Sequence, residues 1–501
     1  MFDCKKMIDF FKPKMIYKRI YDNKMFFEYQ ILIILFCCII FVQAISLINP
    51  FVGADAAGYY INVGRDVILD GKTLYRDVNC SYTPIAILFN SIPYFFNNSP
   101  GYRYFLIPIY ITYWLVIIVF FGILRLYNLG INLSLIFSLF FGMILLNFEA
   151  SFPYLELNVV LFTLVTYYLI QLSFRNNNRL FLLLAGLSSF LAFWSKQNGL
   201  LIMFSFFIYL LVGGRIKTAI KDYLWILSGF FIPVILLILY YDVLIDDFSS
   251  YQLMKRIILF DNSIKVTGQG LNLNTFISSL LYFFVRNIFF LFSLILLLIL
   301  HSKSKMLLSN CLIALISFSV LYHAHYLHYY LLIIPFTFLF SILIYHNSSA
   351  KIKKYFLLCF LLSFLFLLRP LASNIVKYNK ICNLRKDLYA ESLRLNEVVP
   401  KGSKVFLFCD PRLYFLCDYK SANSKFFVYG IPELYKKEEY IFEQVEEGSY
   451  LIFENYYIDQ FENSSYRAAF EYLNTIPINK EKYYKIYECT LKTTNYMNFT
   501  N

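Results

Sequence analysis

Eleven apolar runs, separated by polar loops, most constrain what this chain can fold into. They fall near residues 29–48, 103–124, 130–147, 157–174, 179–194, 199–213, 223–241, 276–300, 306–322, 327–345 and 355–368. A helix needs about 20 apolar residues to cross a bilayer, and several of these runs have only 14 to 16. The reading is an α-helical multi-pass membrane protein with about eleven transmembrane helices, in which a short pair can instead form a re-entrant hairpin. Only 15% of the residues are charged, where a soluble surface of this size would carry about a quarter. Aromatic residues make up 20%, part of which belongs at membrane interfaces.

A net charge of +13 raises the question of nucleic acid, and the placement of the charge answers it. Residues 1–28 form a basic arm with Lys5, Lys6, Lys12, Lys14, Lys18, Arg19 and Lys24, which holds the N-terminus in the cytoplasm. Alternation of the runs then puts Arg125, Arg175 with Arg179, Arg215 with Lys217 and Lys221, Lys303 with Lys305, and Lys351 with Lys353 and Lys354 on the same inner side. Asp55, Glu149, Glu156 and Asp242 fall outside, as do Lys255, Arg256 and Lys265, in a longer loop where the rule is weaker. Much of the positive charge is therefore a topology signal, and no nucleic-acid partner is expected. The expected location is the inner (cytoplasmic) membrane, with no cleavable signal peptide because the first apolar run is long enough to stay in the bilayer.

An odd number of spans delivers residues 371–501 to the extracytoplasmic side, where the pattern is that of a small α/β domain. Lys404 to Cys409 and Tyr450 to Phe453 read as buried strands, 456–474 has helical spacing, and Tyr483 to Leu491 can return as a strand. Neither a GxGxxG fingerprint nor a phosphate loop is present. Cys409 and Cys417 can pair if a turn brings them together. Cys37, Cys38, Cys311 and Cys359 lie in apolar runs and read as small hydrophobes.

Candidate chemistry gathers in the outward loops. The first, residues 49–102, is rich in Gly, Tyr and Asp. It contains Asp55, Tyr59, Tyr60 and Tyr82. A carboxylate such as Asp55 at the boundary of water and lipid can serve as a general base, or it can cap a helix running from Ala56 to Leu69; the two roles are compatible. Asp66, Asp70 and Asp77 read as surface or turn residues. Glu149 and Glu156 can meet Asp55 and share a divalent ion or a substrate hydroxyl, or stand in solvent. Lys196 and Gln197 lie between two short runs, at a depth where a cation has to snorkel or find an anion. Arg286, about ten residues into a run, has to pair with a carboxylate or line a polar cavity that takes a phosphate. His325 and His328 share a helix face within an aromatic cluster and serve either an anion or sugar or an interfacial belt. Arg369, before Pro370, joins the outward cations.

These residues resemble the membrane glycosyltransferases that use polyprenyl-phosphate-linked sugars, the GT-C group of protein O-mannosyltransferases and aminoarabinose transferases (glycosyltransferase family 39-like). The resemblance rests on Gly53 through Asp55 to Tyr60 with Gly71 to Asp77 and Tyr82-Thr83-Pro84, on Glu149 to Glu156, on Ala185 to Gly199, and on His325 to Pro335, within residues 29–370. It implies inverting transfer of a sugar to an envelope lipid, glycan or protein, with Asp55 as base and Glu156 as a second acidic residue. Lys196, Arg286 and His328 would then face the departing phosphate. No cofactor is implied beyond a divalent cation, for which Asp55 and Glu156 are the candidate ligands. Ala56 stands where members often have Glu, and Tyr82-Thr83-Pro84 departs from the aminoarabinose branch, so neither a paired-acid base nor that substrate is carried over. The competing class is a transporter or flippase, which would show repeated halves with broken helices at matching positions.

Overall fold

A computed structural model describes residues 13–48, 61–74, 76–78, 83–148, 150, 155–214, 216–244, 273–300, 304–322, 327–421, 448–454, 474–480 and 484–490. Every one of the eleven apolar runs lies in helical backbone. Among the described residues, four helical stretches are long and apolar enough to cross a membrane: Glu28–Leu47, Tyr102–Leu126, Glu156–Asn176 and Ile216–Leu244. Ile131–Asn147, Leu180–Ser195, Gly199–Gly213, Lys305–Leu321 and Ile334–Asn347 are shorter apolar helices. The chain is a multi-pass α-helical membrane protein.

Two expectations about the runs change. The run 276–300 is not one straight span: Phe276–Arg286 and Ile288–Ile299 meet at an angle of 90°. The break falls at Asn287, whose backbone N–H is shared between the carbonyls of Phe283 (2.9 Å) and Phe284 (3.2 Å) and whose buried amide donates to Phe283 again at 2.9 Å. A side chain that competes for a helix carbonyl is a recognised cause of a sharp break. The last run, 355–368, continues as helix past its apolar end. It belongs to a helix of 49 residues, Ala350–Val398, so the boundary expected between 370 and 371 falls inside continuous helix.

Large apolar side chains point out of the bundle in stripes. On Ile216–Leu239 they include Leu224, Trp225, Phe231, Ile235 and Leu236, each at least 40% exposed. In water that surface would be a liability; in a bilayer it is matched by lipid. The opposite face of this helix packs on Leu180–Ser195 through facing glycines, since a Cβ on Gly186 would fall 2.0 Å from the Ile226 carbonyl oxygen. Inside the bundle, polar side chains join neighbouring helices: Tyr127 and Tyr167 meet at 2.5 Å, Tyr167 donates to Asn310 at 2.6 Å, and Gln171 donates to Tyr209 at 2.6 Å.

Beyond the long helix the chain builds a five-stranded sheet in the order β2-β1-β3-β5-β4. The strands are β1 (Lys404–Phe408), β2 (Lys420–Ser421), β3 (Tyr450–Glu454), β4 (Asn474–Lys480) and β5 (Tyr484–Thr490). β1 runs parallel to β2 and β3, whereas β5 is antiparallel to both β3 and β4. The sequence marks three of these; it does not mark β2, which is two residues long, or β4, whose pattern Pro477 interrupts. Proline is tolerated there because β4 is an edge strand with a register shift between Pro477 and Asn479. The expected helix at 456–474 lies outside the described residues except for Asn474, which begins β4. Cys409 and Cys417 are both buried and no disulfide joins them; the Cys417 thiol donates to the Ser392 carbonyl at 3.7 Å.

The sheet is not held by its connecting helix alone. A continuous apolar cluster joins Val63, Leu74 and Val78 of the first loop, Phe193 and Trp194 of the bundle, and Leu407, Leu413 and Tyr414 of the sheet region.

Candidate active site where three helix ends meet

Glu156 opens the helix Glu156–Asn176, where the positive end of the helix dipole favours a carboxylate. Lys196 follows the last residue of Leu180–Ser195, its backbone N–H bonded to the Ala192 carbonyl at 3.2 Å. The chain then reverses into Gly199–Gly213 within a turn so tight that a Cβ on Gly199 would lie 2.5 Å from the Ala192 carbonyl. This reversal puts Lys196 at the same level as Glu156. His328 arrives from the short helical turn Leu327–Leu332, between the helices Lys305–Ser317 and Ile334–Asn347.

The three side chains converge. The Lys196 ammonium hydrogen-bonds Glu156 Oε1, and His328 Nε2 lies 3.8 Å from the same oxygen. Lys196 also sits over the Tyr329 ring, 4.3 Å from its centroid, and the rings of His328 and Tyr329 are 5.0 Å apart. The Glu156 side chain is 1% exposed and that of Lys196 13%. Burial alone would strip the charge from Lys196, but the Glu156 carboxylate and Tyr329 outweigh it and hold the pKa of the ammonium above its usual value. The arrangement is a buried carboxylate with cationic or protonatable groups on one oxygen, built from residues that neighbour each other only because helix ends alternate.

Other expected site residues are placed differently. Gln197 lies half-buried in the turn beside Lys196, its carbonyl accepting from Leu200 at 3.0 Å. Arg286 ends the helix before the 90° bend, with its guanidinium 3.5 Å over the Tyr282 ring. Tyr282 in turn lies 5.7 Å from Tyr330, next to Tyr329 in the turn that carries His328. Arg369 stands within the continuous helix Ala350–Val398. Asp55, Tyr59, Tyr60, Tyr82, Glu149 and His325 lie outside the described residues. Among the described residues no group of three or more His, Cys, Asp or Glu is placed to hold a metal ion. Glu156 and His328 offer two donors, and Lys196 holds the Glu156 oxygen that lies nearest His328.

Asp66, expected at the surface, is fully buried. The turn after Leu69 folds Lys72 back, so that its N–H reaches the Asp66 carbonyl at 3.2 Å and its ammonium reaches Asp66 Oδ2 at 2.8 Å. Burial raises the pKa of this carboxyl despite Lys72 beside it. Asp77 behaves as a turn residue, accepting from the Thr73 N–H at 2.7 Å and from Arg76. Tyr329 and Arg65 were not singled out in the sequence. For Arg65 the signal is a charged pair, Arg65-Asp66, inside the otherwise uncharged helix Asn62–Ile68.

No protein-family model matches the sequence, and no curated protein is significantly similar to it. Solved structures are similar in fold. ArnT from Cupriavidus metallidurans bound to undecaprenyl phosphate has a TM-score of 0.59 at 11% identity, over 91% of this chain and 97% of that one. The same protein in the apo state gives 0.51 over the same shares. The oligosaccharyltransferase of Archaeoglobus fulgidus in complex with Zn and sulfate gives 0.51 at 13% identity, over 88% of this chain and 69% of that one. The chain has a GT-C-type membrane fold.

Proposed function

We propose that this protein transfers a sugar from a polyprenyl-phosphate donor to an envelope lipid, glycan or protein at the outer face of the cytoplasmic membrane. The observation that carries the reading is the convergence of Glu156, Lys196 and His328 from three separate helix ends, within a scaffold that shares its fold with ArnT. In this reading the acceptor hydroxyl oxygen attacks the anomeric carbon as the bond from that carbon to the phosphate oxygen breaks, with inversion. Asp55 takes the hydroxyl proton, and the electron pair leaves with the polyprenyl phosphate. Lys196 and His328 answer the charge that develops on the leaving phosphate. Glu156 aligns both groups and keeps Lys196 charged, a positioning role in place of metal ligation. Residues 29–370 would form the transferase body, and residues 371–501 an outer α/β region.

Membranes containing the protein, supplied with a radiolabelled polyprenyl-phosphate sugar, test this. Lys196→Ala should lower the turnover by about a hundredfold to a thousandfold, as removal of a preorganised charge-stabilising donor does. Asp55→Asn should abolish transfer while membrane insertion is kept. An active Asp55→Asn protein removes Asp55 as the base, and full activity in Lys196→Ala removes the phosphate role. The transporter alternative draws on the 90° break, a feature of substrate-binding helices in carriers. It predicts labelled glycan crossing a reconstituted bilayer with no new glycosidic bond.

A further inference from the structure

The sheet region grips the first loop through polar contacts that join residues some 350 positions apart. Asn62 Nδ2 donates to the Pro411 carbonyl at 3.1 Å. The Arg65 guanidinium, with its side chain only 8% exposed, donates to the Tyr419 carbonyl and lies 3.7 Å from Asp418. Lys420 reaches Asp70 at 3.1 Å, and Phe415 stacks on Tyr102 with centroids 4.6 Å apart. Asp418 sits at φ 57°, a left-handed conformation that Asp and Asn enter with less strain than most residues, so the turn is shaped to present this carboxylate and the next carbonyl. Behind the gripped helix, Val63 packs in the same apolar cluster as Trp194, two residues before Lys196.

We propose that Arg65 is a positioning residue: clamped by Asp418 and the Tyr419 carbonyl, it fixes the helix Asn62–Ile68 and, through the apolar cluster that holds Val63, Ile87 and Trp194, the turn that carries Lys196. The clamp is a property of the chain itself. Its effect on turnover rests on the transferase reading. A buried guanidinium is a poor adhesive unless each lost hydration partner is replaced, and here a fixed carbonyl and a carboxylate replace them. Removing the guanidinium takes this donor from the Tyr419 carbonyl, while Asp418, 57% exposed, turns to water. The first loop should then open locally without loss of the fold.

The full-length protein in detergent or nanodiscs allows a direct test by hydrogen exchange. Arg65→Ala should speed exchange of the amides of residues 62–74 by about tenfold or more, and Asp418→Asn, which keeps the left-handed backbone, should give a smaller rise. Arg65→Lys should restore part of the protection, because an ammonium keeps the charge but not the planar fork. In the transfer assay, with turnover counted per folded protein in the monodisperse fraction, Arg65→Ala should lower kcat while leaving the donor KM within about twofold; simple loss of folded protein would vanish on that normalisation. Unchanged exchange in both Arg65→Ala and Asp418→Asn would overturn the clamp. Faster exchange with an unaltered kcat, in a preparation where Asp55→Asn is inactive, would overturn the positioning role. If the parent protein transfers no sugar at all, the transferase reading fails, and the exchange result alone decides the clamp.

Discussion

Asp66 shows how far a single carboxyl can depart from the reading its neighbours invite. The Asp70-Gly71 turn, with Gly71 at φ 65°, marks a surface loop, yet the chain that leaves it carries Lys72 back over Asp66 and buries the carboxyl. Its pKa in the folded protein is raised above the ordinary value of 3.8, so folding disfavours its charged form. Below pH 3.8 the group is neutral in both states and carries no charging penalty; as the pH rises through the folded pKa, the penalty appears and stability falls. Asp66→Asn abolishes this titration. Its melting temperature relative to the parent should therefore climb with pH from just above 3.8 until the folded pKa is passed, then level off; a difference independent of pH would refute the assignment. Lys196 was legible for a related reason, since a cation at that depth needs an anion. Its partner was not, because Glu156 lies 40 positions away and the two meet only when the helix ends are set side by side.

At the scale of helices, length and apolar content were enough to locate every run, because a segment in lipid has to satisfy its backbone internally. What the runs do not encode is where a neighbour interrupts them. The bend falls where the Asn287 amide doubles the backbone bond to the Phe283 carbonyl, and past Pro370 the helix continues to where Leu388 and Leu395 are buried against the sheet region. Glycine spacing carries more information than it first gives. Gly186 and Gly229 face each other so closely that a Cβ on Gly229 would lie 1.9 Å from the Leu183 carbonyl oxygen, a backbone atom that cannot step aside. Gly229→Ala should therefore separate the two helices and cost about 1 to 3 kcal/mol, the usual penalty of overpacking. Gly213→Ala meets nothing within 4 Å and serves as the control. Thermal unfolding in detergent should show a lowered midpoint for the first and an unchanged one for the second.

Across the whole molecule the polar contacts sort themselves by side. Glu156, Lys196 and His328 meet at one end of the bundle, and the first-loop helix meets the sheet through Asn62, Arg65 and Asp70. Asn132 bonds Glu28 at 2.9 Å, and Arg179 lies 3.9 Å from Asp222, all four being residues that alternation assigns to the opposite side. None of these contacts crosses between the two groups. The sheet's grip on the first loop adds a parity condition: the chain between them must cross the membrane an even number of times. If each other apolar helix in that stretch crosses once, the bent pair Phe276–Ile299 crosses once as well, as a broken span rather than a re-entrant hairpin. The basic residues then decide which end faces the cytoplasm. Lys401→Cys, exposed at the start of the sheet region, should react with a membrane-impermeant maleimide in intact cells, whereas Asn176→Cys should react only after permeabilisation, with both sites read by peptide mass spectrometry. Reversed labelling would invert the orientation and place the Glu156–Lys196 cluster on the cytoplasmic side. Labelling of both sites in intact cells would break the parity and show that one of the intervening helices does not cross.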